Sequence, residues 1–218
     1  MKRQQNWAAL FDFDGVVVDT ETQYTEFWNN IGKKYFPDQS NYGHVIKGQT
    51  LTQIYETFFK GMVDEQAKIT EALRTFEKGM SFDYIPGVGA FMDELRRQGV
   101  KIAIVTSSDE QKMQRAYLAH PDLKKKVDCI ITADQVSHSK PHPECFLKAA
   151  DTLKVPVCNC VVFEDSLNGL EAGLRSGMKV VGLSTTNSAD IIRDKCHLLI
   201  ADFQETNIDI LNDLIGIN

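Results

Sequence analysis

Apolar positions recur along this chain in two different rhythms. Residues 8–11 form a continuous apolar run that breaks off at Asp12, and such a run ended by a turn signal predicts a buried strand. Gly15 follows almost at once and lets the chain turn sharply. If the extended conformation continues past the run, Asp12 and Asp14 share one side, because side chains alternate with a period of two. From residue 20 the rhythm becomes helical. Thr20 and Gln23 stand at capping-box spacing, and Phe27, Trp28, Ile31 and Tyr35 then recur on one face. Pro37 and the polar run 38–41 end that helix. Residues 44–48 read as irregular, and further helices are expected from Leu51 to near Gly61 and over 64–78. No strand pattern interrupts residues 19–82.

After Pro86-Gly87 the strand rhythm returns. The pattern predicts a helix over 88–98 stopped by Gly99, a strand over 101–105 and a helix over 109–118. It continues with a short strand over 129–131, a helix over 143–153 with Pro143 at its first position, and a strand over 160–163. A helix over 167–175, strands over 179–183 and 197–200, and a helix over 208–214 complete it. Strands alternating with helices imply a parallel sheet covered on both faces. The expected fold class is therefore α/β: a Rossmann-like parallel core made of residues 1–18 and 83–218, with an all-helical domain, 19–82, inserted after the first strand. A helical block beside the sheet's rim can act as a lid that excludes water and reads a substrate.

The composition narrows the possible partners. The 218 residues are 43% hydrophobic and 25% charged, which can build a sizeable core. A net charge of −6 excludes broad attraction to nucleic acid or to an anionic membrane. No apolar run approaches the ~20 residues that a membrane helix needs. Lys2 and Arg3 precede only a short apolar run, so the start does not read as a signal peptide. Cys129, Cys145, Cys158, Cys160 and Cys196 are odd in number and scattered, which points to reduced thiols and a cytoplasmic location. Cys158-Asn159-Cys160 lacks the second pair that a zinc site requires, so Cys160 is assigned to packing at a strand start.

Four strand ends or loops carry candidate chemistry. Asp12 and Asp14 follow the first strand. Thr106-Ser107-Ser108 follows the second and precedes a helix, which suits either an anion site or a simple serine N-cap. Ser139-Lys140-Pro141 holds a lysine biased towards an extended backbone by the following proline. Such a lysine can supply fixed positive charge to a phosphoryl group or to a nucleophile, or can sit in an exposed loop. His138 and His142 flank it and read as surface-loop residues, with a metal pair as the alternative. Finally, an apolar strand ends in Glu164-Asp165-Ser166. Hard oxygen ligands there suit Mg²⁺, while acids near a helix start suit its dipole equally well.

The order Asp-x-Asp, Thr, Lys, Glu-Asp, each at a strand end or loop, resembles the four motifs of the haloacid dehalogenase superfamily. Ser-Lys-Pro-x-Pro and Glu-Asp-Ser-x-x-Gly are similar to those of its β-phosphoglucomutase-like subgroup of sugar-phosphate phosphatases. The resemblance covers essentially the whole chain, including an insertion where this family carries a helical cap. It implies an enzyme that hydrolyses small phosphomonoesters through an aspartyl-phosphate, with Asp12 as nucleophile and Asp14 as general acid and base. It implies phosphate binding by Thr106, the N–H of Ser107 and Lys140. It implies Mg²⁺ held by Asp12, Asp165, the backbone carbonyl of Asp14, and Glu164 directly or through water. Gln23, Tyr24, His44, Lys47 and Gln49 are the cap candidates for substrate selection. A β-phosphoglucomutase-type enzyme carries a histidine and an arginine where this chain has Tyr24 and Leu51, the second match resting on Lys47-Gly48-Gln49-Thr50. These departures favour water as acceptor over mutase chemistry. The remaining alternatives are a metabolite-binding protein of the same fold and a receiver module, the latter leaving Asp14 and the insertion unexplained. The expected partner is a small phosphorylated metabolite, and the expected state is a monomer.

Overall fold

The computed structural model describes residues 7–47 and 49–216. Lys2, Arg3 and Gly48 lie outside them. Strand β1 (Ala8–Phe11) is buried along its whole length. It leads into helices α1 (Glu21–Tyr35), α2 (Tyr42–Val45), α3 (Leu51–Phe58) and α4 (Val63–Lys78). The alternating part follows: α5 (Val88–Arg97), β2 (Lys101–Val105), α6 (Glu110–Ala119), α7 (Leu123–Lys126), β3 (Cys129–Ile131) and α8 (Glu144–Leu153). Then come β4 (Cys160–Glu164), α9 (Leu167–Arg175), β5 (Lys179–Leu183), α10 (Ala189–Ile192), β6 (Leu198–Ile200) and α11 (Ile208–Ile215).

The six strands pair in the order β3-β2-β1-β4-β5-β6, every described pairing parallel. Alternation along β1 sends Ala9 and Phe11 to one face and Ala8 and Leu10 to the other, where two separate apolar clusters cover the sheet. On the first face Phe11 stacks on Phe163 at 4.5 Å between ring centres, with Phe91 and Phe203 closing around the pair. The four helices between β1 and α5 carry a third cluster of their own, built on Trp28, Tyr42, Ile54, Phe59 and Ile69.

Three local expectations change. Thr20 and Gln23 do not form a capping box: Thr20 has helical backbone angles and its hydroxyl donates to Asp14, while Gln23 bonds the backbone of Asp19 and Ser81. The capping box lies instead at Thr50 and Gln53, at the start of α3. Part of the stretch expected to be irregular is the short helix α2. Pro143 occupies the N-cap of α8 rather than its first helical position.

Phe11→Ala should cost about 3–5 kcal/mol, because the emptied space is walled by three other rings. Urea denaturation followed by circular dichroism measures it, and a loss below about 1 kcal/mol would contradict this packing.

Candidate functional site

The strand order decides where the motifs meet. β1 lies between β2 and β4, so three strand ends that are far apart in sequence become neighbours at one rim. In open parallel sheets this crevice, where the strand order reverses, is the ligand site. Asp12 extends β1 by one residue, its N–H donating to the Phe163 carbonyl at 2.9 Å. The chain then turns through Gly15 at φ +77°, and a Cβ built there would lie 2.0 Å from Asp165 Oδ2. Only glycine permits that approach.

Lys140 enters from the loop before α8 and is 6% exposed. An ammonium has three N–H donors. Here they go to Asp12 Oδ1 at 2.5 Å, to Glu164 Oε1 and to the Val105 carbonyl at 3.2 Å. Glu164 Oε2 accepts from the N–H groups of Asp165 and Ser166 and from the Ser166 hydroxyl, each at 3.0 Å. Both Glu164 oxygens are thus engaged. Asp165 is the opposite case, because both of its carboxylate oxygens are buried without a hydrogen-bond partner. Each of Asp12, Glu164 and Asp165 offers an oxygen within 4.8 Å of the others.

Asp14 sits beside this cluster. Its carboxylate accepts from Lys112 Nζ at 2.6 Å, from Ser108 Oγ at 2.7 Å and from the Thr20 hydroxyl. Burial alone would raise its pKa, but the Lys112 charge and these hydrogen bonds outweigh it and hold the group below its ordinary value. Asp12 moves the other way. Burial, then the charges of Glu164 and Asp14, push it up to about 8 against the pull of Lys140. Asp165 is raised well above its ordinary value by burial, by Glu164 and by Asp12. Four carboxylates therefore face two ammonium groups. Lys140 is shared between Asp12 and Glu164, and no ion pair among the described residues reaches Asp165; a hard divalent cation fits an all-oxygen donor group of this kind.

A cavity of about 410 Å³ opens above the rim and is roofed by the helices of the insertion. Asp12, Asp14, Ser107, Lys140 and Asp165 line it, as do Tyr24, Lys47, Gln49 and Leu51 from the insertion. Lys47 also donates to the Thr186 carbonyl across the cavity's edge at 3.1 Å. Gln23 and His44 are not among the lining residues. Thr106 lies beneath, 3% exposed, its hydroxyl accepting from the Ser108 N–H at 2.9 Å. The Tyr24 hydroxyl donates to Glu77 at 2.9 Å, and Arg115 pairs with the same carboxylate at 3.0 Å. Burial raises the Tyr24 pKa further, leaving a neutral phenol.

Lys112, Glu21 and Thr20 are the functional neighbours that sequence reasoning passed over. The signal for Lys112 was present. Asp109 caps α6 and accepts from the Lys112 N–H at 2.8 Å, so Lys112 occupies the first turn of a helix that starts at the rim. Glu21 lines the cavity from the first turn of α1, its carboxyl pushed up to about 7 by burial and by Asp14.

A raised acid pKa lowers folding stability as pH climbs from the unfolded to the folded value. Asp165→Asn removes this cost, so in EDTA at alkaline pH the variant should melt above the natural protein. Excess Mg²⁺ should reverse that order by stabilising only the natural protein. Calorimetry under both conditions checks it; a variant less stable in EDTA would contradict the assignment.

Comparison with known proteins identifies the family and the fold. Residues 9–183 match the haloacid dehalogenase-like hydrolase family. YhcW of Bacillus subtilis, named as a phosphatase, is 35% identical over 180 residues, covering 80% of this chain and 81% of its own. The phosphorylated carbohydrates phosphatase of Thermotoga maritima is 27% identical over 186 residues, 79% of this chain and 82% of its own. In fold, β-phosphoglucomutase from Clostridium difficile superposes with a TM-score of 0.78 at 23% identity, over 96% of each chain. The chain belongs to the haloacid dehalogenase-like hydrolases and is an enzyme of that family.

Proposed function

We propose that this enzyme is a Mg²⁺-dependent phosphatase that hydrolyses small phosphomonoesters, sugar phosphates foremost, through an aspartyl-phosphate on Asp12. The observation that carries the reading is the pair of Asp165 oxygens, buried without a geometric hydrogen bond among the described residues, beside a buried Asp12 that shares the Lys140 ammonium with Glu164. Asp12, Asp165 and the backbone carbonyl of Asp14 would hold the ion, with Glu164 directly or through water. When bound, it offsets the repulsion between a carboxylate and a phosphate dianion.

The remaining work falls to the chain's own residues. An Asp12 oxygen forms a bond to phosphorus as the bond to the substrate alcohol breaks. Lys140 supplies fixed positive charge beside that oxygen, and Glu164 holds Lys140 in place. Thr106 and the Ser107 N–H serve the phosphoryl oxygens in the transition state. Asp14, held ionised by Lys112, takes up a proton from solvent as substrate binds, gives it to the leaving alcohol and takes one back from the water that cleaves the aspartyl-phosphate, releasing phosphate and restoring Asp12. Lys112, Ser108 and Thr20 fix the Asp14 carboxylate for this exchange. The helical insertion, 19–82, is the lid, with Lys47, Gln49 and Tyr24 facing the substrate. Tyr24 and Leu51 provide neither a proton shuttle near neutral pH nor a grip on a second phosphate, so water is the acceptor. The five free thiols fit the reducing cytoplasm expected from the sequence.

Phosphate release from a panel of hexose, pentose and polyol phosphates tests this. Release should require Mg²⁺, stop with EDTA and vanish in Asp12→Asn, while Asp14→Asn should lower kcat by about 10²–10⁴. No release from a folded, metal-binding protein would favour a binding role. Accumulation of glucose 6-phosphate from β-glucose 1-phosphate, followed by NMR, would favour a mutase. Lys112→Met removes the charge that holds Asp14 low, so the limb of the pH–rate profile that reports Asp14 should move to higher pH. An unmoved limb would separate Lys112 from Asp14's role.

A further inference from the structure

The loop that delivers Lys140 carries a second constellation, on its outer side. His138 and His142 stand on either side of Lys140 in sequence, and both turn towards the first residue of α8, Glu144. His138 Nδ1 lies 2.8 Å from Glu144 Oε2, and His142 Nδ1 lies 3.9 Å from the same oxygen. The two imidazole centres are 4.6 Å apart. All three donor atoms fall within 4.8 Å of one another. In a tetrahedral site with bonds of about 2.0–2.1 Å, neighbouring donors stand roughly 3.3 Å apart. The two observed separations from Glu144 bracket that value, so small side-chain rotations complete the site.

The carboxylate is already oriented. Glu144 Oε1 accepts from the Ser137 N–H at 2.7 Å, and Oε2 accepts from the His138 N–H at 3.0 Å. Backbone donors of this kind fix a ligating carboxylate as an outer shell does. The imidazoles are exposed, so an ion can enter and keep water in its open position. Two nitrogens and one oxygen suit Zn²⁺ and its transition-metal neighbours, whereas the all-oxygen cluster of Asp12, Glu164 and Asp165 suits Mg²⁺.

We propose that His138, His142 and Glu144 form a second metal site, for a divalent transition ion of the Zn²⁺ class, which clamps the loop holding Lys140. The ion takes the place of two hydrogen bonds, that between His138 Nδ1 and Glu144 Oε2 and that which His142 Nδ1 accepts from the Glu144 N–H at 3.3 Å; any proton on His138 Nδ1 leaves to solvent, and no electron moves. Clamping both flanks of Lys140 stabilises the position from which its ammonium reaches Asp12 and Glu164.

The test uses the full chain saturated with Mg²⁺ and titrated with Co²⁺ as a visible probe. One Co²⁺ per chain should bind with d–d bands and no thiolate charge-transfer band, and Zn²⁺ should displace it and raise the melting temperature. His138→Gln and His142→Gln, each checked for folding by circular dichroism, should weaken binding by about tenfold or more and abolish the melting shift. Asp165→Asn should leave the cobalt spectrum unchanged. Absence of Co²⁺ binding, undiminished binding in the doubly substituted protein, or no rise in melting temperature with Zn²⁺ would overturn the proposal. So would a thiolate band, which assigns the ion to cysteine, or loss of the signal in Asp165→Asn, which assigns it to the acidic cluster.

Discussion

The ammonium of Lys140, buried between Asp12 and Glu164, is the contact on which the rest of this molecule turns. Taking charges out of water is expensive, and such a group persists only when its donors are fully used. Lys140 uses all three, on two carboxylates and the Val105 carbonyl. Yet it cannot balance everything placed around it. Asp12 and Asp165 are both raised by burial and by their acidic neighbours, the nearby Thr186 hydroxyl offsetting little of it at Asp165, and no ion pair among the described residues reaches Asp165. The protein thus holds a concentrated excess of negative charge where little water screens it. That arrangement is unfavourable for folding, and on the proposed function it serves to bind a hard cation that in turn receives an anionic substrate. The same imbalance divides the two aspartates. Asp14, only two residues on, is paired with Lys112 and is held low. One carboxylate is left short of positive charge and the other is supplied from within, and the proposed mechanism uses that difference to separate a nucleophile from a proton-handling group.

Topology makes this crowding possible. With β1 central and its neighbours β2 and β4 drawn from distant parts of the sequence, the rim collects Asp12, Thr106 and Glu164 without any long side-chain reach. Phe11 and Phe163, stacked one residue behind the acids, anchor the adjacent strand ends on the dry side. The insertion leaves the same rim directly after β1, so its helices stand over the acids. The cavity between them is large enough for a small metabolite and carries polar groups from both sides.

Much of this was legible in the chain because the signals are local. An apolar run ending in acids marks a strand end, as at Asp12 and Glu164, and six apolar runs separated by helical periodicity mark a parallel sheet. The strand over 179–183 and the helix over 167–175 match residue for residue. What escaped depends on long-range placement. Thr20 looks like a helix cap, but its hydroxyl is taken by Asp14, six residues earlier, because the Gly15 turn folds the two together. Lys112 has the composition of an ordinary helical surface lysine; only the convergence of α6 with the β1 rim buries it against Asp14 and Tyr24. Gln23 and His44 are cap candidates by sequence position, but helical phase turns Gln23 towards Ser81 and leaves His44 exposed.

The account stands on a divalent ion making a buried, otherwise raised Asp12 competent to take a phosphoryl group. Its most direct measurement is acid quenching during turnover of a sugar phosphate, followed by peptide mapping with mass spectrometry. The account predicts a phosphoryl group on Asp12 that forms with Mg²⁺ present and not in EDTA or in Asp165→Asn. Steady turnover with no phosphorylated Asp12, or an equal yield of it in EDTA, would contradict it.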